Sequence, residues 1–254
     1  SLAGQAFPFV LVDALVIKLR DNGRVRPHST MLAIGINAEG NREILGFQVG
    51  DSESESSWTD FFNSLKNRGL SGIDLVVSDD HRGLVNAVQT CFQGVTWQRC
   101  QTHFTKNILD KCPKSLQAEL KARLRTVFEA NDTETARKLA KGIHEEYADK
   151  AARAVETLDQ GFEDAIAVLA LPEYYRRKLR TTNSVERLNE EIRRRERVIR
   201  IFPNPESAVR LIGAVLMEHH EEWSEGRRYF DMSSYWSWKK GQKSTGENES
   251  RISA

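Results

Sequence analysis

Residues 7–19, FPFVLVDALVIKL, are apolar at both alternating sets of positions, and this constrains the fold more than any other stretch. A strand with one face in water alternates apolar and polar residues, whereas a strand apolar on both faces must be covered on both. The run therefore predicts a central strand with helices on each side of its sheet. Asp13 interrupts it, with Leu11 and Leu15 on its own face and Val12 and Ala14 on the other. An isolated ionised carboxylate is costly to bury in such surroundings. It demands a metal, a cation such as Lys18 or an arginine, or strong hydrogen-bond donors.

Turn signals then divide the chain. Asp21-Asn22-Gly23 predicts a tight turn into a second strand over 30–37, and residues 38–41 (AEGN) lead to a third over 43–49, an antiparallel meander. Trp58, Phe61, Phe62 and Leu65 then fall at helical spacing up to Gly69, where glycine suits a helix end. DLVVS at 74–78 reads as a short buried strand, Leu84, Val85 and Val88 as a helix, and 94–98 (GVTWQ) as a fifth strand. A meander continued by strand–helix crossovers predicts a mixed α/β layer structure.

From about Gln101 to Leu171 the chain reads as helix, rich in Ala, Lys, Glu and Leu. Two further helices are expected through VERLNEEIRRRERVI and from Pro205 to Trp223. The Ser-, Lys- and Gly-rich stretch from Ser233 predicts a flexible tail over 233–254, disordered beyond about Lys243. No run of eighteen apolar residues exists, so no membrane-spanning helix is expected. Three cysteines, Cys91, Cys100 and Cys112, cannot all pair internally, which points to a reducing compartment.

The formal net charge of +1 is uninformative, but its distribution is not. Between Arg176 and Arg200 ten basic residues stand against Glu186, Glu190, Glu191 and Glu196, a local charge of 10 − 4 = +6. Such a segment can bind phosphates locally or form a solvated helix face. Two more carboxylates stand out beside Asp13. Asp79 ends the DLVVS strand, where α/β sheets place ligands, although an Asp there also serves as a helix N-cap; Asp80 suits the capping role. Glu186 lies beside the apolar stripe of Val185, Leu188 and Ile192, where a surface pair with a nearby Arg is the plainer use. Two strand carboxylates and one helix carboxylate offer hard oxygen ligands for Mg2+ or Mn2+. Two such ions about 4 Å apart can serve both the attacking and the leaving oxygen of a phosphodiester.

Five stretches in order carry a resemblance: VDALVIKLRDNGRVR, AIGINAEGNREILGFQVGDSES, NRGLSGIDLVVSDDHRGL, WQRCQTHFTKNIL and TTNSVERLNEEIRRR. Together they resemble the catalytic region of Mutator-type bacterial insertion-sequence transposases, D-D-E enzymes on a ribonuclease H-like fold. The resemblance implies an α/β, ribonuclease H-like mixed five-stranded sheet with helices on both faces and an all-helical insertion before the catalytic Glu. By it, Asp13, Asp79 and Glu186 match the catalytic and metal-holding residues, with two Mg2+ (or Mn2+) ions as cofactors. The position after the second Asp is usually small in that family and here is Asp80. Cys100-Gln101-Thr102-His103 matches the family's C-x-x-H signature. One Cys and one His are half of a four-ligand zinc site, and Cys91, Cys112 and His81 are irregularly spaced, so Cys100 and His103 are read as active-site support, together with Asn183. Arg187, Arg193, Arg194 and Arg195 are the expected DNA-binding residues.

The implied organisation is a first part of the core over 1–113, a helical insertion over 114–171, C-terminal core helices over 172–232, and the tail. The implied activity is metal-dependent DNA strand cleavage and strand transfer at transposon ends, by a homodimer or higher homo-oligomer in the bacterial cytoplasm at the nucleoid. A ribonuclease H-like nuclease that does not join, and a catalytically silent DNA-binding relic, are the alternatives. The resemblance also implies a DNA-binding region ahead of the first catalytic strand, which begins here within ten residues of Ser1. No G-x-x-x-x-G-K-[ST] loop, nucleophile elbow or H-E-x-x-H spacing occurs, which leaves ATP use, serine hydrolysis and zincin chemistry without a motif.

Overall fold

The computed structural model describes residues 1–252, with side chains described through Gln242. Three long strands open the chain: β1 (Phe9–Asp21), β2 (Arg24–Ile36) and β3 (Arg42–Gly50). The second is longer than expected and the first runs two residues further, because the hairpin at Asn22 and Gly23 keeps them paired out to Asp21 and Arg24. Asn22 and Gly23 both take positive φ there, the conformation that a two-residue hairpin turn requires. Helix α1 (Glu55–Asn67), β4 (Leu75–Ser78), α2 (Arg82–Cys91) and β5 (Thr96–Arg99) follow. The sheet order is β3-β2-β1-β4-β5, with β1–β2 and β2–β3 antiparallel and β1–β4 and β4–β5 parallel. Helices cover both faces, as the doubly apolar first strand predicts, and the sheet is mixed and five-stranded, as the resemblance implies.

After β5 come α3 (Gln101–Asp110), α4 (Gln117–Phe128), α5 (Thr133–Tyr147), α6 (Ala152–Ile166) and α7 (Glu173–Leu179). Two 3-10 turns, Lys114–Leu116 and Ala167–Ala170, join them. Helices α8 (Asn183–Ile199), α9 (Pro205–Glu225) and α10 (Ser233–Ile252) complete the chain. The two faces of β1 feed different cores. Leu11, Leu15 and Ile17 pack with Val185, Leu188 and Ile192 of α8 and Ile212 of α9. Val10 and Val12 pack with Trp58, Phe61 and Phe62 of α1 and Leu84 of α2. Helices α3 to α6 close a third core of their own around Phe104, Leu124, Tyr147 and Leu158. Cys91, Cys100 and Cys112 are all free thiols. Among the described residues no helix is long and apolar enough to cross a membrane.

The stretch from Ser233 departs from the flexible tail that its composition predicts. Tyr235 is fully buried among Phe9, Tyr175 and Phe230. Its hydroxyl donates to Asp74 Oδ2 at 2.5 Å, and Lys239 pairs with the same carboxylate. One aromatic anchor with a paired polar tip outweighs a polar average. The disorder expected beyond Lys243 falls on side chains outside the described residues.

One glycine closes the same end of the sheet. Gly40 has φ +90°, and its carbonyl accepts from the N–H groups of Tyr229 and Phe230 at 2.8 and 3.0 Å. An added Cβ would stand 2.0 Å from the Phe230 carbonyl oxygen. Gly40→Ala is therefore expected to cost about 2–4 kcal/mol, from left-handed strain plus a backbone clash. Equilibrium urea denaturation checks this, and an unchanged midpoint would contradict it.

Candidate active site

The register of the parallel pair brings two aspartates together. Phe9 pairs with Leu75, Val10 with Val76 and Leu11 with Val77, a constant offset of 75 − 9 = 66. Continued by two residues, the same offset sets Asp13 beside Asp79. Strand β4 ends at Ser78 while β1 runs on to Asp21. Asp13 thus lies mid-strand on β1 yet level with the carboxyl end of β4.

Helix α8 covers the face on which Asp13 lies. Its apolar stripe, Val185, Leu188 and Ile192, packs on the sheet and brings Asn189 to Asp13, whose Oδ2 accepts from Asn189 Nδ2 at 2.8 Å. Glu186, one turn earlier, shares that side of the helix. Its Oε1 accepts from Thr182 Oγ1 at 2.9 Å and lies 3.8 Å from His103 Nε2. Cys100, buried at the start of α3, accepts at Sγ from Thr182 N (3.5 Å) and faces Thr182 Oγ1 (3.4 Å). Thr182 holds the N-cap position of α8 but makes no capping bond with its side chain. Its hydroxyl serves the Glu186 carboxylate instead. Asn183 is exposed at the first residue of α8; Thr182 and Asn189, which the sequence reading did not single out, make the polar contacts to the acids.

The electrostatics join these groups. Burial, then the charge of Asp79, raise the Asp13 pKa from 3.8 to about 7; the Ala14 N–H and His103 oppose this, and Glu186 adds to it. The hydrogen bond with Cys100 is the largest of the influences that raise His103 to about 9, against desolvation, with Glu186 and Asp13 contributing. Burial pushes the Cys100 thiol up, but hydrogen bonds from His103 and Thr182 outweigh it and the net shift is downward. Asp79, Glu186 and His103 thus all act on Asp13 across the end of the sheet.

The raised Asp13 pKa has a consequence for stability. At low pH both folded and unfolded chains hold the proton and nothing is lost. Between about pH 4 and 7 only the folded chain holds it, so stability falls as pH rises. Above the folded pKa the full penalty, up to about 4 kcal/mol, is present. Without divalent metal, Asp13→Asn should therefore raise stability at pH 8 by about 2 kcal/mol, roughly 4–8 °C in melting temperature, allowing for water at the site. The new amide can also donate to Asn189 Oδ1, which is buried without a partner. Melting curves in chelator at pH 8 and pH 4 test this; an unchanged or lower melting temperature at pH 8 would contradict it.

Asp80 departs from its expected capping role. Helix α2 takes His81 as its N-cap residue, without a side-chain bond, and Asp80 Oδ2 pairs with Arg99 at 2.9 Å. The buried Arg99 guanidinium needs a counter-charge more than the helix needs a cap. A further acid, Glu53, feels the charge of Asp79. Burial raises its pKa, with His81 and Trp58 opposing and Asp79 contributing; it accepts from Trp58 Nε1 at 3.2 Å and lies 3.5 Å from His81. Of the expected DNA-binding residues, Arg187 is exposed on α8. Arg193, Arg194 and Arg195 reach Glu196, Glu191 and Glu218 at 3.9, 2.6 and 3.7 Å. Ion pairs this exposed contribute little and are readily exchanged.

Known proteins resemble this chain over most of its length. The transposase for insertion sequence element IS256 in transposon Tn4001 of Staphylococcus aureus is 45% identical over 231 residues, 90% of this chain and 59% of that protein. The transposase for IS1081 of Mycobacterium tuberculosis is 42% identical over 226 residues, 89% of this chain and 54% of its own length. The chain thus spans less than two thirds of the relatives it matches. Among solved structures, the Mos1 transposase catalytic domain with Raltegravir and Mg is 16% identical over 64% of this chain and 84% of that one, with a TM-score of 0.22, too slight a likeness to weigh. The model of the transposase Mutator family matches residues 1–226, and with these relatives it shows that the chain belongs to the Mutator family of transposases.

Proposed function

We propose that this chain is the catalytic region of a DNA transposase and that Asp13, Asp79 and Glu186 are its catalytic acids. The observation that carries the reading is the 66-residue register offset joining Asp13 to Asp79, with Glu186 acting on Asp13 from α8. Three hard oxygen donors, one of them with its charged state disfavoured by burial, fit Mg2+ or Mn2+. When bound, two such ions neutralise charge at the phosphodiester and ease deprotonation of the attacking hydroxyl. Asn189 fixes the rotamer of Asp13, Thr182 that of Glu186, and Cys100 holds His103 beside Glu186. Arg187, Arg193, Arg194 and Arg195 bind DNA phosphates along the exposed side of α8.

In this reading water attacks the phosphodiester at the transposon end, and the freed 3′-hydroxyl then attacks a second DNA strand. A homodimer or larger homo-oligomer acting on DNA at the bacterial nucleoid belongs to the same proposal. So does the division of the chain into a split core, an insertion over 114–171 and a C-terminal segment. A second reading gives a softer ion to Cys100, His103 and Glu186, whose ligand atoms lie within 4.8 Å of one another. Against it, Cys100 Sγ is already engaged by Thr182 and His103.

The test is incubation of the protein with a pre-nicked transposon end, Mg2+ and a target plasmid. Joined products support strand transfer. Hydrolysis without joining supports a ribonuclease H-like nuclease, and neither product overturns the catalytic reading in favour of a silent relic.

A further inference from the structure

A second constellation lies on the other flank of α8. Arg42, at the start of β3, sets its guanidinium carbon over two rings, 4.0 Å from the centroid of Trp223 and 4.6 Å from that of Tyr229. Lys178 Nζ stands 4.2 Å from the Tyr229 centroid and donates to the Tyr229 carbonyl at 2.7 Å. The Tyr229 hydroxyl in turn meets Ser184 Oγ of α8 at 3.0 Å. Arg187, one turn beyond Ser184 and on the same side of that helix, completes the group. The segment carrying Tyr229 is clamped by Gly40, so these cations are held on a fixed frame.

Like charges are not gathered without a cost. Arg42 is pushed down by burial first, and the charge of Arg187 pushes it further, against Tyr229 and Glu222. Lys178 is likewise lowered by burial and then by Arg42. Cations gathered around aromatic faces, as Arg42 and Lys178 are beside Arg187, gain most from a shared polyanion. Two aromatic rings also hold an arginine flat, leaving its N–H edge for phosphate oxygens.

We infer that Arg42, Lys178 and Arg187, framed by Trp223 and Tyr229, form a platform that binds the phosphate backbone of a DNA strand. On the helical wheel Ser184 and Arg187 lie to one side of the Val185–Leu188–Ile192 stripe, and Glu186 lies to the other. A strand crossing the exposed side of α8, about 10 Å wide, therefore touches both the platform and the acids. That distance is roughly three nucleotide rises. The inference rests on the DNA-cutting reading above and adds the path of the strand to it.

The experiment measures binding of the whole chain to a fluorescein-labelled DNA duplex by anisotropy over a series of salt concentrations. Arg42→Gln with Arg187→Gln should weaken binding about tenfold to thirtyfold at low salt and reduce the salt slope by about two. Lys178→Gln, an exposed change, should reduce the slope by about one. Arg137→Gln removes a charge on α5 that is paired with Glu163 of α6 and should leave the slope unchanged. Melting curves identify any variant whose fold is lost, and Lys178→Gln carries the test where Arg42→Gln does not fold. Should the unaltered chain bind DNA while the platform variants keep its slope, this inference alone is overturned. Should Arg137→Gln lose as much as they do, net charge explains the loss and the platform is again overturned. Should the unaltered chain bind no DNA at all, the DNA-cutting reading fails and takes the platform with it.

Discussion

Alanine in place of Asp79 is expected to lower DNA strand cleavage about 10³-fold, equivalent to roughly 4 kcal/mol of transition-state stabilisation. Asp13→Ala and Glu186→Ala should do the same, because in the proposed reading each removes one of the hard oxygen donors that would hold the metal. DNA affinity should change little, since it comes mainly from phosphate contacts and falls with salt. Asn189→Ala is expected to lose less, about 10- to 100-fold, as an orienting partner and not a metal-holding group. Cleavage of a labelled transposon end in Mn2+, beside anisotropy on the same variants, measures both quantities. If the three alanine variants cleave like the parent, the assignment of the acids is wrong.

The second large effect falls on stability. Gln98, fully buried on β5, accepts from Val168 N at 2.6 Å and donates to Ala165 O at 2.8 Å. Gln101 donates to the same Ala165 carbonyl at 2.7 Å. These two amides satisfy the C-terminal end of α6 and tie the helices after β5 to the sheet. Gln98→Leu keeps the volume but orphans the Val168 N–H, at about 2 kcal/mol. With Gln101→Leu added, the Ala165 carbonyl is orphaned as well and the loss should reach about 4 kcal/mol, the pair coupling through their shared acceptor. Chemical denaturation checks both values. A double variant within about 0.5 kcal/mol of the parent, the scale of ordinary surface changes, would show that the clamp does not hold these helices.

The sheet was legible because its cause is local. Two apolar faces on residues 7–19 imply a central strand, and the Asn22-Gly23 turn implies its hairpin. The pairing of Asp13 with Asp79 was legible in part: both were unusual where they stood, but their offset became a register only once β1 and β4 were seen side by side. What stayed hidden depends on partners distant in sequence. Asp80 looked like a cap, since the burial of Arg99 cannot be read from its neighbours. Thr182 and Asn189 looked like ordinary helix residues, because Cys100 and Asp13 lie 82 and 176 positions away. The tail misled for the same reason: its average polarity masked Tyr235, whose pocket is built from β1, α7 and the 226–231 segment. Arg42 drew no notice because its aromatic frame comes from α9 and the residues after it.

The most direct measurement of the central claim is anomalous diffraction from crystals of this protein soaked in MnCl2. The account predicts density in contact with the carboxylates of Asp13 and Asp79 and within reach of Glu186, and its loss in Asp79→Ala. Density held by Cys100, His103 and Glu186, with Asp13 and Asp79 uninvolved, would contradict it.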